Sequence, residues 1–179
     1  MTHINLIPGV INERLIHFQN EVNKNFSFLN DFGYALDKIE NGRAENFLNY
    51  FSNFFFRNGE TKISVDFSTD NINGIRTAFP NLKEEELPVF DNNVSCSIHD
   101  TNAFMSIDNF IETQFPEIST DNFTIKVTAV NIKNEITRII ENYSDFFRTY
   151  LTDVLQKNKI YDCYTDRFYD KVFKEIHYR

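Results

Sequence analysis

Tyr50-Phe-Ser-Asn-Phe-Phe-Phe-Arg-Asn-Gly-Glu-Thr-Lys-Ile-Ser-Val-Asp-Phe67 is the stretch on which the reading of this chain turns. Its first half can be laid on a helix, because Phe47, Leu48, Tyr50, Phe51 and Phe54 to Phe56 crowd together without a clear period. The second half decides the matter. Asn58-Gly59 is a turn pair, and Ile63, Val65 and Phe67 then alternate with Lys62, Ser64 and Asp66. The prediction is a strand over about Tyr50 to Arg57 paired with Lys62 to Phe67, preceded by a loop or single helical turn over Arg43 to Asn49.

Upstream of the hairpin, Ile11, Leu15, Phe18, Val22, Phe26 and Leu29 recur at steps of three and four, which predicts an amphipathic helix. Gly33 stands just past its last apolar position, where a left-handed cap is favoured. A short strand over Tyr34 to Lys38 follows, closing at Asn41-Gly42. Downstream, Ser68 to Gly74 reads as a polar loop, Ile75 to Phe79 as a weak apolar patch, and Val94, Cys96 and Ile98 as the inward side of a strand.

Ser106 fits the N-cap of a short helix that ends near Phe115-Pro116. Phe123, Ile125, Val127 and Ala129 alternate with polar neighbours as a further strand. Helical spacing then holds from Ile132 to Val154, the longest helix expected, and Phe168, Val172 and Ile176 at steps of four suggest a last helical segment. The sum is an α+β fold, an antiparallel sheet with an N-terminal helix and C-terminal helices packed on one face. No linker or composition step divides it, so residues 1–179 are read as a single domain.

Composition narrows the function classes. Lys and Arg number 18 against 26 Asp and Glu, a net charge of −8. Nucleic-acid binding and adsorption to anionic membranes both rest on excess cationic charge, and neither is expected. The start lacks a basic segment followed by an apolar run, and no stretch approaches the roughly 18 apolar residues of a membrane span, so a cytoplasmic location is expected. Cys96 and Cys163 stand far apart with no CxxC pair, which predicts neither a disulfide framework nor a zinc site. No phosphate loop, nucleophile elbow or metalloprotease motif occurs, so no cofactor, metal or catalytic residue is assigned.

The residues Phe26, Leu29, Phe32, Gly33 and Tyr34 spell Phe-x-x-Leu-x-x-Phe-Gly-Tyr, and the hairpin segments Phe56 to Glu60 and Ile63 to Phe67 follow. Over its first third the chain thus resembles small cytoplasmic bacterial proteins of the polymorphic-toxin immunity and uncharacterised-domain kind. The resemblance implies a non-enzymatic protein that binds a partner protein, typically a toxin whose active site it blocks.

Candidate contact residues follow from charge and aromatic content. Asp162, Asp166 and Asp170 fall at steps of four, which on a helix makes one acidic stripe, with Tyr161, Tyr164 and Tyr169 supplying aromatic contact area. Glu84, Glu85 and Glu86 form a second acidic patch. Both suit a basic partner such as a toxin domain. Two alternatives stand beside this reading. One is a small hydrolase or transferase using His99, which strand geometry aligns with Ser97 but not with Asp100. The other is a homo-oligomeric assembly protein that buries its Phe-rich hairpin; the sequence leaves the oligomeric state open.

Overall fold

In the computed structural model, the described residues are 9–43, 49–70, 92–101, 103–126, 131–156, 159–170 and 176–177. Helix α1 (Gly9–Asn25) runs into a 3-10 turn (Ser27–Phe32) that ends at Gly33, whose φ of 77° is the left-handed conformation. A Cβ there would meet the Asn58 side chain at 2.9 Å, so this cap needs glycine for space as well as for backbone freedom.

The predicted hairpin is present. Strands β2 (Asn49–Asn58) and β3 (Thr61–Asp70) pair antiparallel from Asn58 opposite Thr61 to Asn49 opposite Asp70, joined by Gly59-Glu60. The polar loop expected from Ser68 therefore starts later; its remainder and the Ile75 to Phe79 patch lie outside the described residues. Strand β1 (Ala35–Arg43) lies on the far side of β2. It runs straight through Asn41-Gly42, which pair with Ser52 and Phe51 instead of forming the expected turn. Strand β4 (Asn93–His99) pairs with β3, and β5 (Phe104–Ser106) with β4, giving one antiparallel sheet in the order β1-β2-β3-β4-β5. Ser106 then caps α2 (Ile107–Gln114) by accepting from the Asn109 amide.

Alternation sets the two faces of the sheet. Phe54, Phe56, Ile63, Val65, Phe67, Val94, Cys96, Ile98 and Met105 are buried on the face covered by α1 and by α3 (Ile132–Tyr150). Phe18 of α1 joins the layers, its ring 5.4 Å from Phe67 and 5.9 Å from Phe54, while Phe26 meets Phe147 of α3 edge-on at 5.6 Å. His17 Nε2 lies 2.9 Å from both the Lys133 carbonyl and Thr137 Oγ1, tying α1 to α3. The aromatic bias of the sequence is therefore spent largely on filling this core.

Three expectations are corrected here. The alternating run from Phe123 is not a strand where it is described: Thr120–Phe123 is a 3-10 turn, and residues 127–130 lie outside the described set. The reason is a competing partner for its backbone. Arg138 of α3 donates to the carbonyls of Asn122 and Thr124 at 2.9 and 2.8 Å, and Glu135 accepts from the Lys126 amide at 3.2 Å. The long C-terminal helix also breaks at Leu151, leaving a short α4 (Thr152–Leu155). Beyond it come strands, not the expected helix: β6 (Lys159–Asp162), β7 (Arg167–Asp170) and β8 (Ile176–His177) form a second antiparallel sheet.

Candidate functional site

The acidic stripe expected on a C-terminal helix does not form, because residues 163–166 are the turn of a hairpin. Asp162 pairs with Arg167 across it, and the loop closes with the Asp166 amide donating to the Asp162 carbonyl at 2.9 Å. Asp166 adopts a φ of 54°, a left-handed position that aspartate tolerates better than most residues. The candidate residues are thereby dispersed. Tyr161 is buried, and its hydroxyl bonds to the Asp166 carboxylate. Asp162 is 5% exposed and faces inward. Asp170 and Tyr169 lie at the far end of β7, opposite Lys159 and Ile160, and Glu84, Glu85 and Glu86 lie outside the described residues.

Asp162 works as a clamp between the two sheets. Its Oδ1 accepts from the backbone amide of Phe104 in β5 at 3.1 Å, while Oδ2 accepts from the Thr165 amide at 3.1 Å and the Thr165 hydroxyl at 2.7 Å. Burial pushes its carboxyl upward, but donation from the Thr165 side chain and from the Phe104, Tyr164 and Thr165 amides outweighs it, holding the pKa below the usual carboxylate value. The next amide, that of Cys163, donates to the Phe104 carbonyl at 2.9 Å. Both backbone groups of Phe104 are thus used by the turn.

What the turn presents outward is Tyr164, which is 81% exposed. Its ring lies 5.5 Å from that of Phe104, with the planes 31° apart, and Phe104 in turn lies 4.7 Å from the His99 ring. These three rings make a row at the β5 border, on the sheet face opposite the core. Beneath the row, Cys163 is half-buried with its Sγ 3.6 Å from the Ser106 carbonyl, and burial raises its thiol pKa. That environment does not produce a thiolate nucleophile.

Further across the same face, β3 and β4 contribute a chain of polar groups that continues from His99. Ser64 Oγ donates to Asp66 Oδ2 at 2.8 Å, Ser64 and Ser97 hydroxyls lie 2.7 Å apart, and Ser97 Oγ lies 2.9 Å from His99 Nε2. With the Asp66 carboxylate ionised and each hydroxyl having one proton, the polarity of the chain follows: Ser64 donates to Asp66, Ser97 to Ser64, and His99 Nε2–H to Ser97. The ring nitrogen next to Ser97 is therefore protonated and cannot take the Ser97 proton, the opposite of what a serine nucleophile requires. Asp100 faces away, accepting from Thr61 at 2.9 Å and from Thr101 at 3.0 Å. Burial, and then the Lys62 ammonium, lower the His99 pKa, while burial raises that of Asp66. Alternation alone predicted the alignment of Ser97 with His99. It did not reveal Ser64, Asp66 or Phe104, whose placement depends on which strands are neighbours.

A separate shallow groove of about 190 Å³ lies on α3, lined chiefly by Phe123, Phe146, Tyr150, Asn142 and Asp145. It holds no convergent set of ionisable groups. Among the described residues there is no cluster of three or more His, Cys, Asp or Glu side chains placed to hold a metal, and no helix is long and apolar enough to cross a membrane. No family model, no curated protein and no solved structure matches the chain.

Proposed function

We propose that this chain is a non-enzymatic cytoplasmic protein that binds a partner protein and blocks it by occlusion, as an immunity protein neutralises a bacterial toxin. The observation that carries the reading is Tyr164: an aromatic side chain 81% exposed on a four-residue turn that Asp162 and the Cys163 amide lock to β5. An aromatic ring held in water on a rigid support loses little freedom on binding, which is what interface hot spots exploit. Asp166 stands exposed beside it, and the net charge of −8 favours encounter with a basic surface. Tyr161 and Asp162 contribute by holding the turn, not by touching the partner.

The test begins with copurification from the native host and identification of the bound protein by mass spectrometry, followed by titration of that protein with variants. Tyr164→Ala is expected to weaken binding by roughly thirtyfold, the effect of a hot-spot residue worth about 2 kcal/mol, with no change in the unfolding midpoint. Asp166→Asn, which keeps a residue tolerant of the left-handed backbone, is expected to slow association and flatten its salt dependence. Equal affinity of the Tyr164→Ala and unaltered chains would refute the assignment.

A further inference from the structure

The two borders of the five-stranded sheet are treated differently. At β5 the turn after β6 occupies both backbone groups of Phe104. At β1 no strand among the described residues pairs with the outer side. A nine-residue border strand whose outer amides and carbonyls no described strand takes up is a template for another strand, and such borders are usually shortened, bulged or studded with inward charges. Here the one irregularity falls between Leu36 and Lys38. Leu36 and Ile39 pair with the buried Phe56 and Phe54, so they belong to the core side of the sheet, yet they are 45% and 40% exposed.

We infer that β1 is a self-association surface, pairing antiparallel with β1 of a second copy of this chain about a two-fold axis through Ile39. This lies on the opposite border from the Tyr164 turn and is independent of the function proposed above. Charge complementarity selects the occupant and the register. In antiparallel pairing residues directly opposite one another share a face, so an axis at Ile39 sets Lys38 of each copy against Glu40 of the other and Ile39 against Ile39. Moving the register two residues one way sets Glu40 against Glu40, and two the other way sets Lys38 against Lys38. Both displaced registers place like charges at the centre, and only the central one sets Lys38 and Glu40 each against an opposite charge.

Lys38 and Glu40 are placed to make this exchange. Within one chain they pair with each other, Nζ to Oε1 at 2.5 Å, with side chains 51% and 45% exposed. Two-fold pairing keeps the faces in register, so the core side of one sheet continues into that of the other and covers Leu36 and Ile39. This is an isologous contact that closes at two copies.

Sedimentation of the full chain from micromolar to millimolar concentration, at physiological ionic strength, tests the inference. The unaltered chain is expected to show a concentration-dependent dimer. Lys38→Glu and Glu40→Lys each create two like-charged cross-strand pairs, and each is expected to weaken dimerisation by on the order of tenfold or more. In an equimolar mixture of the two variants, every cross-strand pair at positions 38 and 40 can again join two acidic side chains of one copy to two basic side chains of the other. That mixture is expected to form a heterodimer as readily as the unaltered chain forms a dimer. The doubly exchanged chain is expected to dimerise on its own. Unchanged circular dichroism in all variants verifies that the fold is intact. A chain that stays monomeric throughout, single variants that dimerise like the unaltered chain, or a mixture no better than its components would each overturn the pairing.

Discussion

Replacing Asp162 by Asn removes a charge while leaving the shape of the clamp almost intact. The carboxylate accepts from the Phe104 amide and from both the amide and the hydroxyl of Thr165, with the Tyr164 amide also directed at it. Hydrogen bonds to a charged acceptor contribute about 1.5–3 kcal/mol, roughly twice a neutral bond, and a buried donor left unpaired costs about 1–3 kcal/mol. An asparagine has one acceptor oxygen. If it serves Thr165, the amide NH2 is turned toward the Phe104 N–H, leaving that donor unpaired and the remaining bonds without charge assistance. The expected loss is about 2–4 kcal/mol at pH 7, a large part of the ~5–15 kcal/mol that holds a domain together.

The pH dependence of this loss separates charge from shape. Because the native pKa of Asp162 is held below its unfolded value, its contribution is complete above the ordinary carboxylate range and disappears as the pH falls through the depressed native pKa. Urea unfolding of both chains, followed by far-ultraviolet circular dichroism in steps from pH 7 into acid, should show a wide gap that narrows toward the acid end. An Asp162→Asn chain within about 0.5 kcal/mol of the parent at pH 7, the range of an ordinary surface substitution, would refute the clamp. So would a gap that stays constant in acid.

Two further outcomes are expected. Arg138→Met removes the donor to the Thr124 carbonyl and one of two to that of Asn122, which keeps Asn142 Nδ2, and should cost about 1–3 kcal/mol, with faster amide exchange across residues 120–126; exchange at the parent rate would show that Arg138 does not hold this segment. Lys62→Met removes the second cause of the lowered His99 pKa but not the first, burial, so an NMR titration should find the His99 midpoint moved upward yet still below that of an unperturbed histidine, and an unmoved midpoint would contradict the placement of Lys62.

Where local chemistry and tertiary demand agreed, the sequence could be read directly. The hairpin of β2 and β3, the left-handed Gly33 and the Ser106 cap are each set by residues within a few positions of one another. The errors share a different origin. Steps of four, as in Phe168, Val172 and Ile176 or in Asp162, Asp166 and Asp170, keep residues near one face of a helix, but four is also an even number and keeps residues on one face of a strand. That spacing could not separate the expected helix from the hairpin found.

Phe123 and Ile125 have a strand's alternation, but over the described residues 122–126 the backbone is taken by side-chain bonds from Arg138 and Glu135, which no local pattern announces. β5, with three residues, is too short to show a period at all. The site suffered accordingly. A helical spacing puts Asp166 on one face with Asp162 and Asp170, whereas Tyr164 and Asp166 reach the surface on a turn, and the Asp66 to His99 chain needs a strand order that one-dimensional periodicity does not contain.

The bonds from Asp162 and Cys163 to Phe104 also impose a timetable on biosynthesis. The strands up to β5 emerge from the ribosome well before the peptide units that finish its border, so the nascent sheet waits with that margin raw. A polypeptide terminated ahead of residue 159 would keep that margin permanently, and its natural fate is clumping or degradation, whereas the longer chain seals it with its own late-arriving turn.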